Sequence, residues 1–89
     1  MSERKYATRF TESARGELRK LPRATAITIL RKLSDLEQDP YGYSTTALVG
    51  SPETRRLRVG DYRVIYTVDG GQLLVLVVHV GHRSTVYRD

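Results

Sequence analysis

A two-residue turn signal, Gly60-Asp61, separates two stretches of strand-forming residues, Thr54 to Val59 and Tyr62 to Val68. Such a turn makes a β-hairpin and fixes which residues face each other across it. The predicted pairs are Val59 with Tyr62, Arg58 with Arg63, Leu57 with Val64, and Arg56 with Ile65. The chain is therefore expected to contain an antiparallel sheet built around this hairpin.

A third strand is predicted directly after the hairpin. Asp69-Gly70-Gly71 is a turn signal, and Gln72 to Val80 follows it as a strand. Its central part, Leu73 to Val78, is apolar at every position. A strand that is apolar on both faces belongs inside a sheet, covered on both sides or by helices on one side and a partner on the other. Gly81 ends this strand, and His82 to Asp89 forms a short C-terminal segment.

The first half of the chain predicts one strand and two helices. Lys5 to Phe10 alternates like a short strand. Thr11 or Ser13 then offers an N-cap for a helix that runs up to Pro22, and a second helix extends from about Arg23 to Glu37. The two helices form an antiparallel helical hairpin. Residues 44–53 show no clear period and are expected to be a polar connection.

These elements predict an α+β fold, in which an N-terminal strand and a helical hairpin pack on one face of a small antiparallel β-sheet. The 89 residues make a single domain, 1–89. With no cysteine and only two histidines, the chain lacks the ligands for a zinc–thiolate site and has no thiol nucleophile. No apolar run approaches the roughly 20 residues of a membrane span, so we expect a cytoplasmic protein without membrane contact.

The register divides the hairpin into an apolar face and a basic face. Leu57, Val59, Tyr62, Val64 and Tyr66 form the apolar face, whereas Arg56, Arg58 and Arg63 lie on the other. Two like charges directly opposite each other are destabilising, which suggests an anionic ligand on this face. The 15 Lys and Arg against 10 Asp and Glu, net +5, favour a polyanionic partner such as nucleic acid. A plainer interpretation is that residues 55–58 form a solvated edge strand.

Extending the register through an Asp69-Gly70 turn places Arg63 opposite Leu76. Leu74, Leu76, Val78 and Val80 then share the basic face, His79 points into the core, and His82 points towards the arginines. A three-residue loop would invert this assignment. With the basic and aromatic residues that follow the strand, the candidate catalytic cluster is Arg56, Arg58, Arg63, His82, Arg83 and Tyr87.

Four guanidinium groups, an imidazole and a phenol suit phosphate chemistry, in which positive charge stabilises a pentacovalent oxyanion. With RNA, the substrate supplies its own nucleophile, the 2′-hydroxyl, so no metal or cofactor is expected. No carboxylate is apparent on this face, so the general base is His82, Tyr87 or a group of the partner. We favour His82 for proton transfer and Tyr87 for stacking on a base, although Tyr87 could simply anchor the C-terminus.

The chain resembles the RelE branch of the RelE/ParE toxins of type II toxin–antitoxin systems. Two motifs carry the resemblance: residues 56–66, Arg-Leu-Arg-Val-Gly-Asp-Tyr-Arg-Val-Ile-Tyr, and residues 80–87, Val-Gly-His-Arg-Ser-Thr-Val-Tyr. Arg56 and Arg58 match the basic positions of the second strand, which are often lysine in relatives. Arg63, Arg83 and Tyr87 match the arginine after the hairpin, the arginine of the second motif and the terminal tyrosine.

The resemblance implies a ribosome-dependent endoribonuclease that enters the A site and cuts mRNA by attack of the 2′-hydroxyl. It also implies a RelB-like antitoxin as partner, a toxin–antitoxin hetero-oligomer, and contact with operator DNA through the antitoxin. We expect an acidic, amphipathic antitoxin segment to cover the basic face or to pack beside it. The sequence leaves two alternatives open: a ParE-like inhibitor of DNA gyrase with the same fold, and a non-catalytic RNA-binding module.

Overall fold

The computed structural model of the protein describes residues 5–42, 45–48 and 50–82. Seven elements follow one another along this part of the chain. In chain order they are β1 (Ala7–Phe10), α1 (Glu12–Arg19), α2 (Arg23–Leu36), β2 (Thr45–Leu48), β3 (Ser51–Val59), β4 (Tyr62–Asp69) and β5 (Leu74–His82). The expected α+β class, with a helical hairpin after the first strand, is confirmed.

The five strands form one sheet in the order β1-β5-β4-β3-β2. Its neighbouring strands are antiparallel except for β1 and β5, which run parallel. Strand β5 lies between β1 and β4, in agreement with its apolar residues on both faces. After β1, the helical hairpin carries the chain to the far edge of the sheet, where β2 begins. The meander β2-β3-β4-β5 then returns across the sheet, and β5 ends beside β1, parallel to it.

The β3–β4 hairpin has the predicted register, with Arg58 opposite Arg63 and Val59 opposite Tyr62. Gly60, the first central residue of the turn, has a φ of 59°. A type II′ hairpin turn places glycine at this position because a side chain there is strained. The Gly60-Asp61 signal therefore located both the turn and the pairing.

The helices cover one face of the sheet. Helix α1 begins after Thr11, whose hydroxyl accepts a hydrogen bond from the amide of Ala14 at 3.1 Å. This contact is a standard N-cap and agrees with the first of the two predicted capping residues. The core cluster of the described residues joins the helices to the sheet: Ala14, Ile29, Leu33, Leu36, Leu57, Val59, Val64, Tyr66, Val68, Val75, Val77 and Val80.

The predicted polar connection between residues 44 and 53 was wrong. Thr45–Leu48 forms strand β2, and β3 already begins at Ser51. β2 is an edge strand with two exposed and two half-buried side chains, so it is held by backbone pairing with β3 and needs no alternating apolar pattern. Such a strand gives little signal in hydrophobic periodicity.

The register between β4 and β5 also differs from the prediction. The loop contains four residues, Gly70 to Leu73, and Leu73 adopts a φ of 53° in the left-handed region. A β-bulge then lies opposite Ile65 and Tyr66, where Val78 is left out of the pairing. As a result Arg63 faces Gly81 and not Leu76. In the described part of the chain, neither helix is long and apolar enough to cross a bilayer.

Candidate functional site

The sheet face opposite the helices carries the predicted basic residues, and we call it the arginine face. It is defined by Arg56, Arg58 and Arg63, which alternate with the buried Leu57, Val59 and Val64 on the two hairpin strands. Residues that face each other across a strand pair share a face of the sheet. The structure therefore brings these three predicted site residues together.

The two opposed arginines occupy different environments. Arg58 is exposed, whereas Arg63 retains only 6% of its accessible surface. Nη1 of Arg63 donates to the backbone carbonyl of Tyr62 at 3.2 Å and more weakly to that of Gly60 at 3.4 Å. Its guanidinium is thus anchored to the hairpin turn, while that of Arg58 faces solvent. The sequence suggested that two solvent-facing guanidinium groups repel each other here. The structure differs, because the Arg63 guanidinium is buried and bonded to backbone carbonyls.

Strand β5 supplies part of the arginine face, and the structure confirms only the first half of its predicted contribution. Leu76 lies opposite Thr67 and Leu74 opposite Asp69, so both leucines are on this face, as expected. Val80, in contrast, is 2% exposed and belongs to the core. The bulge at Val78 shifts the alternation by one residue, so that Val77 and Val80 are both buried.

The same bulge exchanges the two histidines relative to the prediction. His79 does not point into the core: it lies opposite Ile65 on the arginine face, and its side chain is 51% exposed. His82 lies opposite Tyr62, on the face that the helices cover. The His82 and Tyr62 rings meet edge to face, with centroids 5.6 Å apart. The expectation that His82 points towards the arginines is therefore wrong, and His79 takes that place.

Glu17 of helix α1 reaches the open edge of β5 and holds His79. Strand β1 pairs with β5 only as far as Val77, and no strand of the described residues pairs with the next part of this edge. The amide of Val80 donates to Oε1 of Glu17 at 2.8 Å, and Nδ1 of His79 lies 3.0 Å from the same carboxylate. Glu17 was not predicted as a site residue, because 62 positions separate it from His79. No local pattern in the sequence marks this contact.

Two predicted site residues, Arg83 and Tyr87, lie outside the described residues. Their place in the site remains a prediction from the second motif.

A separate polar cluster lies on the helix side of the sheet. The Tyr66 hydroxyl donates to the carbonyl oxygen of Pro40 at 2.5 Å, and burial raises the pKa of the Tyr66 phenol above its ordinary 10.0. Arg55 donates to Oγ1 of Thr45 at 2.9 Å and packs over the Tyr41 ring, 5.1 Å from its centroid. Arg55 thus has a structural role and is not part of the arginine face.

Comparison with known proteins gives consistent results over nearly the whole chain. A family model described as the ParE toxin of type II toxin-antitoxin systems, parDE, matches residues 8–87. Toxin RelG of Mycobacterium tuberculosis is 36% identical over 90 residues, covering 93% of this chain and 97% of RelG. Toxin RelE of the same organism is 29% identical and covers 93% of this chain and 87% of that toxin.

Solved structures show the same architecture. The toxin–antitoxin complex RelBE2 of M. tuberculosis matches with a TM-score of 0.79 and 29% identity, over 93% of this chain and 97% of that chain. The isolated RelE toxin of E. coli matches with a TM-score of 0.79 and 30% identity, over 92% of this chain and 90% of that chain.

The fold and its arginine-bearing hairpin thus define a small toxin of a type II toxin–antitoxin system. The chain belongs to the RelE/ParE superfamily, and its most informative relatives place it on the RelE branch.

Proposed function

We propose that the protein is a ribosome-dependent endoribonuclease that cuts mRNA in the A site. The observation that carries this proposal is the arginine face, where Arg58 and Arg63 lie directly opposite each other. On the other side of Arg63 stands Gly81, which adds no side chain to this part of the face. Two arginines on directly paired positions, with Arg56 further along the same strand, give this face a local excess of positive charge, which suits an RNA phosphate and its transition state.

The chemistry divides among the arginines according to their environments. Arg58 presents a solvent-facing guanidinium that binds a phosphate oxygen, and Arg56 extends the basic surface along the same strand. Arg63, held by the turn carbonyls, contributes a fixed charge and keeps the hairpin in shape. Arg83 and Tyr87 complete the site according to the second motif. Because the ribose 2′-hydroxyl is the nucleophile, the scheme requires no metal or cofactor.

The proposed partner is a RelB-like antitoxin in a toxin–antitoxin hetero-oligomer. Solved relatives of this chain are RelE–RelB complexes, including those from Pyrococcus horikoshii and E. coli. An antitoxin with an acidic segment would complement the net charge of +5. Contact with operator DNA through the antitoxin is part of the same proposal.

Inhibition of DNA gyrase is a second candidate, because the matching family model is described as a ParE toxin. The experiment is a pair of assays on the purified protein: cleavage of a defined mRNA on programmed ribosomes, and supercoiling by gyrase. We expect cleavage of the A-site codon without inhibition of supercoiling. Inhibited supercoiling with intact mRNA would instead assign the protein to the second function.

A further inference from the structure

We propose that His79 is the general base of the cleavage reaction and that Glu17 is its positioning residue. This inference rests on the proposed ribonuclease function and identifies the proton acceptor that the arginine face lacks. It assigns the role neither to His82, which the sequence favoured for proton transfer, nor to Tyr87, the other candidate base of this chain. The observation behind it is a histidine–carboxylate pair formed between helix α1 and the edge of strand β5.

The pair fixes which nitrogen of His79 carries the proton. An ionised carboxylate only accepts hydrogen bonds, so Nδ1 of His79, 3.0 Å from Glu17, must be the donor. In the neutral ring this leaves the lone pair on Nε2. Within residues 5–42, 45–48 and 50–82, Nε2 has no hydrogen-bond partner, and half of the side chain is exposed. The histidine is thus held in the tautomer that a general base requires, with its accepting atom accessible.

The carboxylate itself is fixed by a second contact. Oε1 of Glu17 accepts the amide of Val80 at 2.8 Å, at the edge of β5 that β1 no longer covers. This amide needs an acceptor whether or not residue 79 is a histidine. Because a polar contact between partly exposed side chains contributes little to stability, the hydrogen bond between His79 and Glu17 has a small structural value. Its clearest effect is to orient the imidazole.

His79 is also placed where a base can serve the arginines. Arg63 faces Gly81 and Ile65 faces His79, so His79 is the diagonal neighbour of Arg63 on the arginine face. Diagonal neighbours across antiparallel strands lie roughly 7–8 Å apart at the backbone, within reach of long side chains. A ribose whose 3′-phosphate is bound by the arginines can therefore present its 2′-hydroxyl to Nε2 of His79.

The proposed step is balanced without a metal or an added reagent. Nε2 of His79 takes the 2′-hydroxyl proton as the 2′-oxygen forms a bond to phosphorus. The bond between phosphorus and the 5′-oxygen breaks, and that oxygen takes a proton from water. The imidazolium returns its proton to the resulting hydroxide. The products are a 2′,3′-cyclic phosphate and a 5′-hydroxyl.

The first test is single-turnover cleavage of mRNA on programmed ribosomes, measured over a range of toxin concentrations up to saturation. We expect His79→Gln to lower the rate about 100-fold or more, within the range of general base catalysis. The half-saturating toxin concentration should not change, because His79 acts on the reacting atoms and not on ribosome binding. Free imidazole should restore part of the activity of His79→Ala. Lys32→Gln, an exposed change on helix α2, is the control with wild-type rate.

The second test separates positioning from structure. Glu17→Gln keeps an acceptor for the Val80 amide but can present an N–H to His79. We expect an unchanged melting temperature, a rate lowered about tenfold, and a shift of the His79 ring nitrogens away from the Nδ1–H tautomer in ¹⁵N NMR. An unchanged ring spectrum, or a fall in rate fully explained by unfolding, would overturn the role of Glu17.

The outcomes distinguish this inference from the function on which it rests. If the wild-type toxin cuts mRNA and His79→Gln cuts equally fast, the proposed function stands and His79 is not the base. The same conclusion follows if only His82→Gln loses activity. If the wild-type toxin does not cut mRNA on ribosomes, the proposed function fails, and the inference fails with it.

Discussion

Arg58 and Arg63 have the same side chain and face each other on adjacent strands, but their guanidinium groups lie in different environments. The Arg63 guanidinium is buried and bonded to two backbone carbonyls, whereas that of Arg58 is exposed and has no hydrogen bond to another described residue. A solvent-facing guanidinium can exchange water for phosphate at little cost to the fold. Loss of a buried one leaves carbonyl groups without their donor.

These environments predict that alanine at Arg58 lowers activity alone, whereas alanine at Arg63 lowers both activity and stability. Arg58→Ala should lower the cleavage rate about 10²–10³-fold, as for the loss of one transition-state donor, and leave the melting temperature unchanged or slightly higher. Arg63→Ala should lower the cleavage rate as well and, unlike Arg58→Ala, should reduce the free energy of unfolding by about 1–3 kcal/mol. Cleavage on ribosomes and urea denaturation of each variant test this, with the exposed Arg31→Ala as the control. Equal stability of the Arg58 and Arg63 variants would contradict it.

At the scale of elements, the hydroxyl of Tyr66 ties β4 to the loop that follows α2. It donates to the Pro40 carbonyl, and burial raises the pKa of this phenol. Tyr66→Phe should therefore cost about 1–3 kcal/mol, because the buried carbonyl loses its donor. Tyr41→Phe, which keeps the half-exposed ring beneath Arg55, should change stability by less than about 0.5 kcal/mol.

The raised pKa of Tyr66 also gives this contribution a pH dependence. The folded state holds the phenol proton more tightly than the unfolded chain, so the stabilisation is fully present below about pH 10 and is lost as the pH rises above it. We expect the stability difference between wild type and Tyr66→Phe, measured in urea titrations between pH 9 and 11, to hold up to about pH 10 and to shrink above it. A difference that stays constant over this range would mean that Tyr66 ionises equally in both states.

The elements that the sequence predicts best are those with a local signal. Gly60-Asp61 specifies its own turn, and the register of Arg58 and Arg63 follows from it. The bulge at Val78 has no such signal, since one valine among several apolar neighbours can be inserted without changing the pattern. This single extra residue decides which histidine joins the arginine face. The contact between Glu17 and His79 depends on tertiary packing as well, and could not be derived from spacing.

At the scale of the whole molecule, the sheet and the helices each present apolar side chains on their outer side. The arginine face combines Arg56 and Arg58 with half-buried apolar side chains, Ile65, Leu74 and Leu76. The helix side exposes Ile27 and Leu30 of α2. Each face offers apolar area to a partner, but the first also carries the arginines of the proposed active site. An acidic, amphipathic antitoxin segment that covers it would inhibit the toxin directly.

Antitoxin binding should therefore stabilise the toxin, weaken with salt and depend on Arg58. At a free antitoxin concentration 100 times Kd, the complex gains about 2.7 kcal/mol over the free toxin, which a melting experiment detects as a higher Tm. Charge reversal by Arg58→Glu should weaken binding strongly at low salt and less at high salt, because counterions screen the lost attraction. Arg31→Glu reverses one charge on the exposed side of α2 and should have a much smaller effect. If Arg31→Glu weakens binding more than Arg58→Glu, the antitoxin segment lies on the helices beside Ile27 and Leu30, and inhibition must then act at a distance from the arginine face.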